Sequence, residues 1–218
     1  MNVITFDSKL WDRLPSGDIG RDDIRQLVEQ AADEAAKLLP SDFRYANIVI
    51  TPVEPDQTIP ETGVAGVTYS DEYTSISLDP NLPYGVQGLR ESLRGMVFHE
   101  LVHAATYADD PWQPSAMYGV VTEGLATVFE RNYADSRPLW GQYDDDETMN
   151  RWYQELKQLP ATEHKDMDYF VQHHDGRKWI VYKVGTWMID KMLRNDQDLF
   201  DIMGWPHQQV IDRFESLP

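Results

Sequence analysis

The chain has 218 residues, of which 41% are hydrophobic and 11% aromatic, with 37 acidic side chains against 19 basic ones, a net charge of −18 and no cysteine. That apolar content is enough for a packed core and argues against a disordered chain, while the lack of cysteine excludes disulfides, thiolate zinc sites and cysteine nucleophiles. The negative field argues against nucleic acid and anionic membrane as partners, and any bound metal must be held by histidine and carboxylate.

The N-terminal stretch Met1 to Arg13 has no basic segment followed by an apolar run, and no stretch approaches the ~18 apolar residues of a membrane span. The expectation is a cytoplasmic protein. Residues 1–20 read as an irregular arm with a turn at Pro15-Ser16-Gly17. A helix is expected over 21–39, capped by Asp22 or Asp23, with Ile24, Leu27, Val28, Ala31, Ala35 and Leu38 at helical spacing and Pro40 as its stop. Phe43 to Thr51 is β-branched and reads as a strand; Pro52, Pro55 and Pro60 then punctuate a loop. Two further strands, 63–69 and 74–78, flank a hairpin turn at 70–73, and Asp79 to Pro83 closes this small sheet.

A long helix is expected over 88–107. It contains His99-Glu100-Leu101-Val102-His103, an H-E-x-x-H pattern. Imidazoles four residues apart share one helix face, within reach of one Zn²⁺ at about 2.0–2.1 Å. The glutamate between them is suited to act as a base on zinc-activated water. By itself the pattern arises by chance in about one such chain in a hundred, so its surroundings decide. Around the helix, Leu93, Val97, Leu101, Ala104 and Ala105 occupy one side, and Phe98 and Val102 another flank. Ser92, His99, Glu100 and His103 form a polar arc of roughly 80–100° by the 3.6-residue period. Such a helix belongs in the middle of a domain. A polar arc buried there needs partners, because unpaired buried polar groups are expensive.

A second helix is expected over 116–133, with Gly119, Glu123, Ala126, Thr127 and Glu130 on one face. Small residues there permit close approach of a neighbour. Further helices are expected over 144–159, 179–193 and 206–216. Between them, 163–175 holds His164, His173 and His174 near Tyr169 and Phe170. The division is an α/β part, 1–107, that includes the metal helix, and a helical part, 108–218, within a single catalytic domain of 1–218.

Catalytic zinc takes three protein ligands and keeps a position for water. His99 and His103 supply two. The third is sought among Glu123, His164, His173, His174 and His207, with Glu123 foremost because it lies 20 residues after His103 on the small-residue face of a separate helix. Thr127 and Glu130 share that face and are placed to orient the imidazoles, although Glu130 is equally a solvated helix-end charge.

The pairing of His99-Glu-Leu-Val-His-Ala104 with Thr122-Glu-Gly-Leu-Ala126 resembles the gluzincin metallopeptidases. Thr74 to Leu78 before the metal helix and Tyr182-Lys-Val-Gly185 after it narrow the resemblance to the DUF2268 group of predicted zinc-dependent proteases. It spans roughly residues 63–193. It implies an α+β, thermolysin-like (zincin) core: a small N-terminal mixed sheet, a central active-site helix and a helical C-terminal half. In it Thr74 to Leu78 is the edge strand that binds extended peptide. It implies Zn²⁺ on His99, His103 and Glu123, Glu100 as general base, and a peptide or protein substrate. The oxyanion donor is assigned to Tyr182, with His173 and His174 as rivals, although a tyrosine on an apolar helix is more often a core residue and adjacent histidines in a polar loop are more often solvated. Two other functions fit the same residues: a non-catalytic, chaperone-like peptide-binding metalloprotein, and a metallohydrolase of a non-peptide bond.

Overall fold

A computed structural model describes residues 2–15, 17–40, 47–107, 110–111, 113–160 and 167–217. It is a mixed α+β chain with a small N-terminal mixed sheet and a mostly helical remainder. The chain divides into two units, one of 1–108 with 132–136, the other of 109–131 with 137–218. No helix among the described residues is long and apolar enough to cross a membrane.

The first unit begins with β1 (Asn2–Thr5), where an irregular arm was expected. This strand pairs in parallel with β2 (Asn47–Pro52), setting Val3 opposite Ile48 with both buried. Four residues are too few for a periodic signal, so only the pairing reveals β1. Of the strand expected over 43–51, residues 43–46 lie outside the described residues. Between these strands runs α1 (Arg21–Ala36), which buries Ile24, Val28, Ala31, Ala32 and Ala35 along one face. Its N-cap is Gly20, neither Asp22 nor Asp23. Asp23 instead reaches back one turn, its Oδ2 accepting the Gly20 N–H at 2.7 Å.

β3 (Val64–Ser70) and β4 (Tyr73–Leu78) form the expected hairpin, with an irregular register between Thr68 and Ser70. The sheet order is β1-β2-β4-β3: β4 pairs in parallel with β2 and antiparallel with β3. Thr74 to Leu78 is therefore an interior strand, and the edge expected there belongs to β3. The burial shows why. Thr74, Ile76 and Leu78 are buried in step with Ile48, Ile50 and Pro52, whereas β3 fully buries only Val64. Which hairpin strand turns inward depends on β2, a partner distant in sequence.

α2 (Gly85–Thr106) packs on α1 and on β3. Arg94 ties the unit together. It pairs with Glu34 of α1, donates from Nε to the Ala134 carbonyl at 3.0 Å, and lies 4.6 Å over the Phe98 ring.

The second unit holds α3 (Ala116–Tyr133, apart from its last two residues), α4 (Asp146–Lys157), α5 (Met167–Phe170), α6 (Ile180–Arg194), α7 (Leu199–Met203) and α8 (His207–Glu215). The short helices α5 and α7 were not expected from the sequence. Asp145 caps α4, accepting from the Thr148 N–H at 2.9 Å. α6 is the hub, packing on α4, α5 and α8. Arg131 of α3 grips Asp190 of α6 through two bonds, 2.7 and 2.9 Å, and Tyr143 donates to the same carboxylate at 2.9 Å. α3 and α6 also meet backbone to backbone. A Cβ on Gly185 would lie 2.1 Å from the Val120 carbonyl oxygen, and one on Gly124 would lie 2.5 Å from the Gly185 carbonyl carbon.

Arg177 organises the segment before α6. It bonds both Glu155 oxygens at 2.8 Å and Asp175 at 2.7 Å, and lies over the Trp152 ring. Its hydrogen bonds hold the Glu155 carboxyl below its ordinary value of 4.5. A depressed carboxylate contributes stability that is complete above the unfolded value and is lost as pH falls through the folded one.

Gly185→Ala is expected to destabilise the protein by about 3 kcal/mol, because backbone atoms cannot yield as a side chain would; denaturant unfolding measures it. Acid titration followed by tryptophan fluorescence should show wild-type stability falling as pH drops below about 4.5, with a smaller fall in Glu155→Gln.

Candidate metal centre

α2 is buried from Gly95 through Val102. His99 and Glu100 are each only 4% exposed, and His103 is half-buried one turn on. The ligand-capable atoms of His99, Glu100 and His103 all lie within 4.8 Å of one another. The two imidazole rings are 5.0 Å apart between centroids and inclined at 70°, so they converge without stacking. Two imidazoles and a carboxylate at the end of an apolar stretch make a nitrogen and oxygen donor set that suits zinc. The residues therefore fit a divalent metal on their chemistry and spacing.

The carboxylate is held from the sheet. Thr68 of β3 places its Oγ1 2.8 Å from Glu100 Oε2 and 3.0 Å from the Glu100 carbonyl oxygen. Two residues earlier, Gly66 lets the glutamate lie directly on the strand. A Cβ there would come within 2.5 Å of Glu100 Cγ and Oε1 and 2.6 Å of Met96 Sδ. Neither residue was singled out from the sequence. The alternation of β3 carries a partial signal, since Val67 and Tyr69 are exposed while Gly66 and Thr68, out of phase with them, are partly covered. Nothing in the alternation says which turn of which helix covers them.

The remaining expected residues belong to the second unit. Glu123 is half-buried on α3. One turn on, Thr127 is fully buried, and its Oγ1 has no hydrogen-bond partner among the described residues. Glu130 is 2% exposed, which corrects its reading as a solvated helix-end charge: it lies on the last full turns of α3, where Val128 and Phe129 are also buried. Tyr182 is half-buried on α6, its ring 5.6 Å from Trp179, 6.2 Å from Phe170 and 6.4 Å from Trp140. His173 is buried, with Nδ1 2.9 Å from Asp175 Oδ1 and its ring 4.5 Å from Tyr169. His174 is exposed beside it, at 4.0 Å between rings. His207 directs Nδ1 to the Asp110 carboxylate at 2.9 Å and donates its backbone N–H to the same group at 2.7 Å. His164 lies outside the described residues.

A buried helix that presents two imidazoles one turn apart, with a carboxylate between them seated on an edge strand, defines a chain equipped to hold a divalent metal. The chain belongs to the DUF2268 family of predicted Zn-dependent proteases, whose model matches residues 24–212. That match extends further than the resemblance legible in the motifs, taking in most of α1 and all of β2 at one end and most of α8 at the other. No curated protein matches the chain, and no solved structure does.

Gly66→Ala is expected to cost about 2 kcal/mol, since Glu100 and Met96 must both move to admit the methyl group. Urea unfolding of the variant against wild type checks it.

Proposed function

We propose that the protein is a zinc-dependent peptidase of the gluzincin kind. The observation that carries the proposal is the convergence of His99, Glu100 and His103 within 4.8 Å on one buried helix, in a family described as predicted Zn-dependent proteases. Zinc held by His99 and His103, with Glu123 as third ligand, would polarise a scissile carbonyl and acidify water. The case for Glu123 is its place on the helix that follows α2, in the phrase Glu123-Gly-Leu-Ala126.

Glu100 takes the proton from the attacking water onto its carboxylate and delivers it to the departing amide nitrogen as the C–N bond breaks. Tyr182 donates its phenolic O–H to the oxyanion that forms on the carbonyl. In this proposal the fold is a thermolysin-like core in which β3, whose outer edge meets no other strand among the described residues and is bridged only at Val64 by Ile59, receives the substrate as an extended strand. Substrates are peptides or proteins. With a net charge of −18, nucleic acid and anionic membrane are disfavoured as partners.

Purified protein should carry about one zinc per chain, the stoichiometry of a single site with three protein ligands. His103→Ala should lose the metal. Glu100→Gln should retain it while kcat on a mixed peptide library falls by about 10²–10⁴-fold, the range for a lost general base. Elemental analysis and mass-spectrometric detection of cleavage give both readouts. A protein that neither retains nor accepts zinc would overturn the proposal.

A further inference from the structure

We propose that Thr68, backed by Thr74, is the positioning residue for the Glu100 carboxylate, so that the edge strand and the base are set as one unit. This rests on Glu100 acting as the base of the peptidase proposed above.

Thr68 Oγ1 has one proton and three oxygens within reach: Thr74 Oγ1 at 2.9 Å, Glu100 Oε2 at 2.8 Å and the Glu100 carbonyl at 3.0 Å. A carboxylate can only accept, whereas each threonine hydroxyl both donates and accepts. If Thr68 donated to Thr74, its 2.8 Å approach to Oε2 would set lone pair against lone pair beside a negative charge. The opposite direction satisfies every group. Thr74 donates to Thr68, and Thr68 donates to Glu100. Thr74 is fully buried, so its own proton is best placed in that bond. The bond to the carboxylate is charge-assisted, which favours it over the neutral carbonyl, and a donor behind Thr68 strengthens it further.

Glutamate has three side-chain torsions to fix before its carboxylate points at anything. Thr68 fixes one oxygen from the strand, and Gly66 on the same strand face gives the carboxylate room to lie flat on the backbone. Two residues of one strand thus hold a group more than thirty positions away in sequence. A base held in advance loses less rate to misorientation than one that must find its place in each turnover.

Thr68→Val removes the donor and keeps the shape; Thr68→Ser keeps the donor. The first measurement is thermal unfolding of metal-free protein in a double-mutant cycle with Glu100→Met, which cannot accept the bond. Thr68→Val should lower Tm by about 2–6 °C in wild type and by less than about 1 °C beside Glu100→Met. The second is kinetics of the zinc-loaded protein. Thr68→Val should lower kcat by about tenfold or more with KM within about twofold and zinc content unchanged, and Thr68→Ser should return kcat to within about threefold of wild type. Additive Tm shifts, or wild-type kcat in Thr68→Val, would overturn the positioning role. Coupling in the unfolding cycle together with an inactive wild type would support the positioning and overturn the peptidase proposal instead.

Discussion

The first unit depends on one constraint: from Gly95 to Val102 α2 is buried on every side, yet that stretch and the turn after it carry two imidazoles and a carboxylate. Burying its apolar sides against α1 and β3 is favourable at about 25 cal/mol per Å². Burying Glu100 is unfavourable unless a donor meets it. The strand answers both demands at one place. Gly66 brings the backbone close enough to pack, and Thr68 supplies the donor. The same few residues thereby make the helix stable and orient its chemical groups.

The second unit shows a related economy. Gly124 belongs to the phrase Glu123-Gly-Leu-Ala126, and Gly185 to Tyr182-Lys-Val-Gly185. Both phrases mark the family resemblance, and the structure brings their glycines together where α3 crosses α6. The glycines permit a contact between main chains, and that contact fixes the stretch of helix carrying Glu123 relative to the one carrying Tyr182. Arg131 and Asp190 lock the same pair of helices two turns further along. Part of what reads as a catalytic signature is thus a packing signature. Two of the second unit's histidines serve as ties as well. His173 is bound to Asp175 and packed on Tyr169, and His207 holds the start of α8 to Asp110.

The sequence by itself determined the long helices, the hairpin, the buried character of α2 and the one-turn spacing of His99 and His103. These follow from local rules: the 3.6-residue and two-residue periods, and the stops imposed by proline. What lacked a local signal was missed. β1 is four residues long, and α5 and α7 are four and five. Only the tertiary structure decided that β3 is the edge of the sheet, because that depends on β2 having claimed the other side of β4. Only it decided that Glu130 is buried, and that Gly66 and Thr68 meet Glu100, a pairing across more than thirty residues. Periodicity tells a residue which way to face; what it faces depends on how distant segments pack, and the partner that holds Glu100 is a matter of that packing.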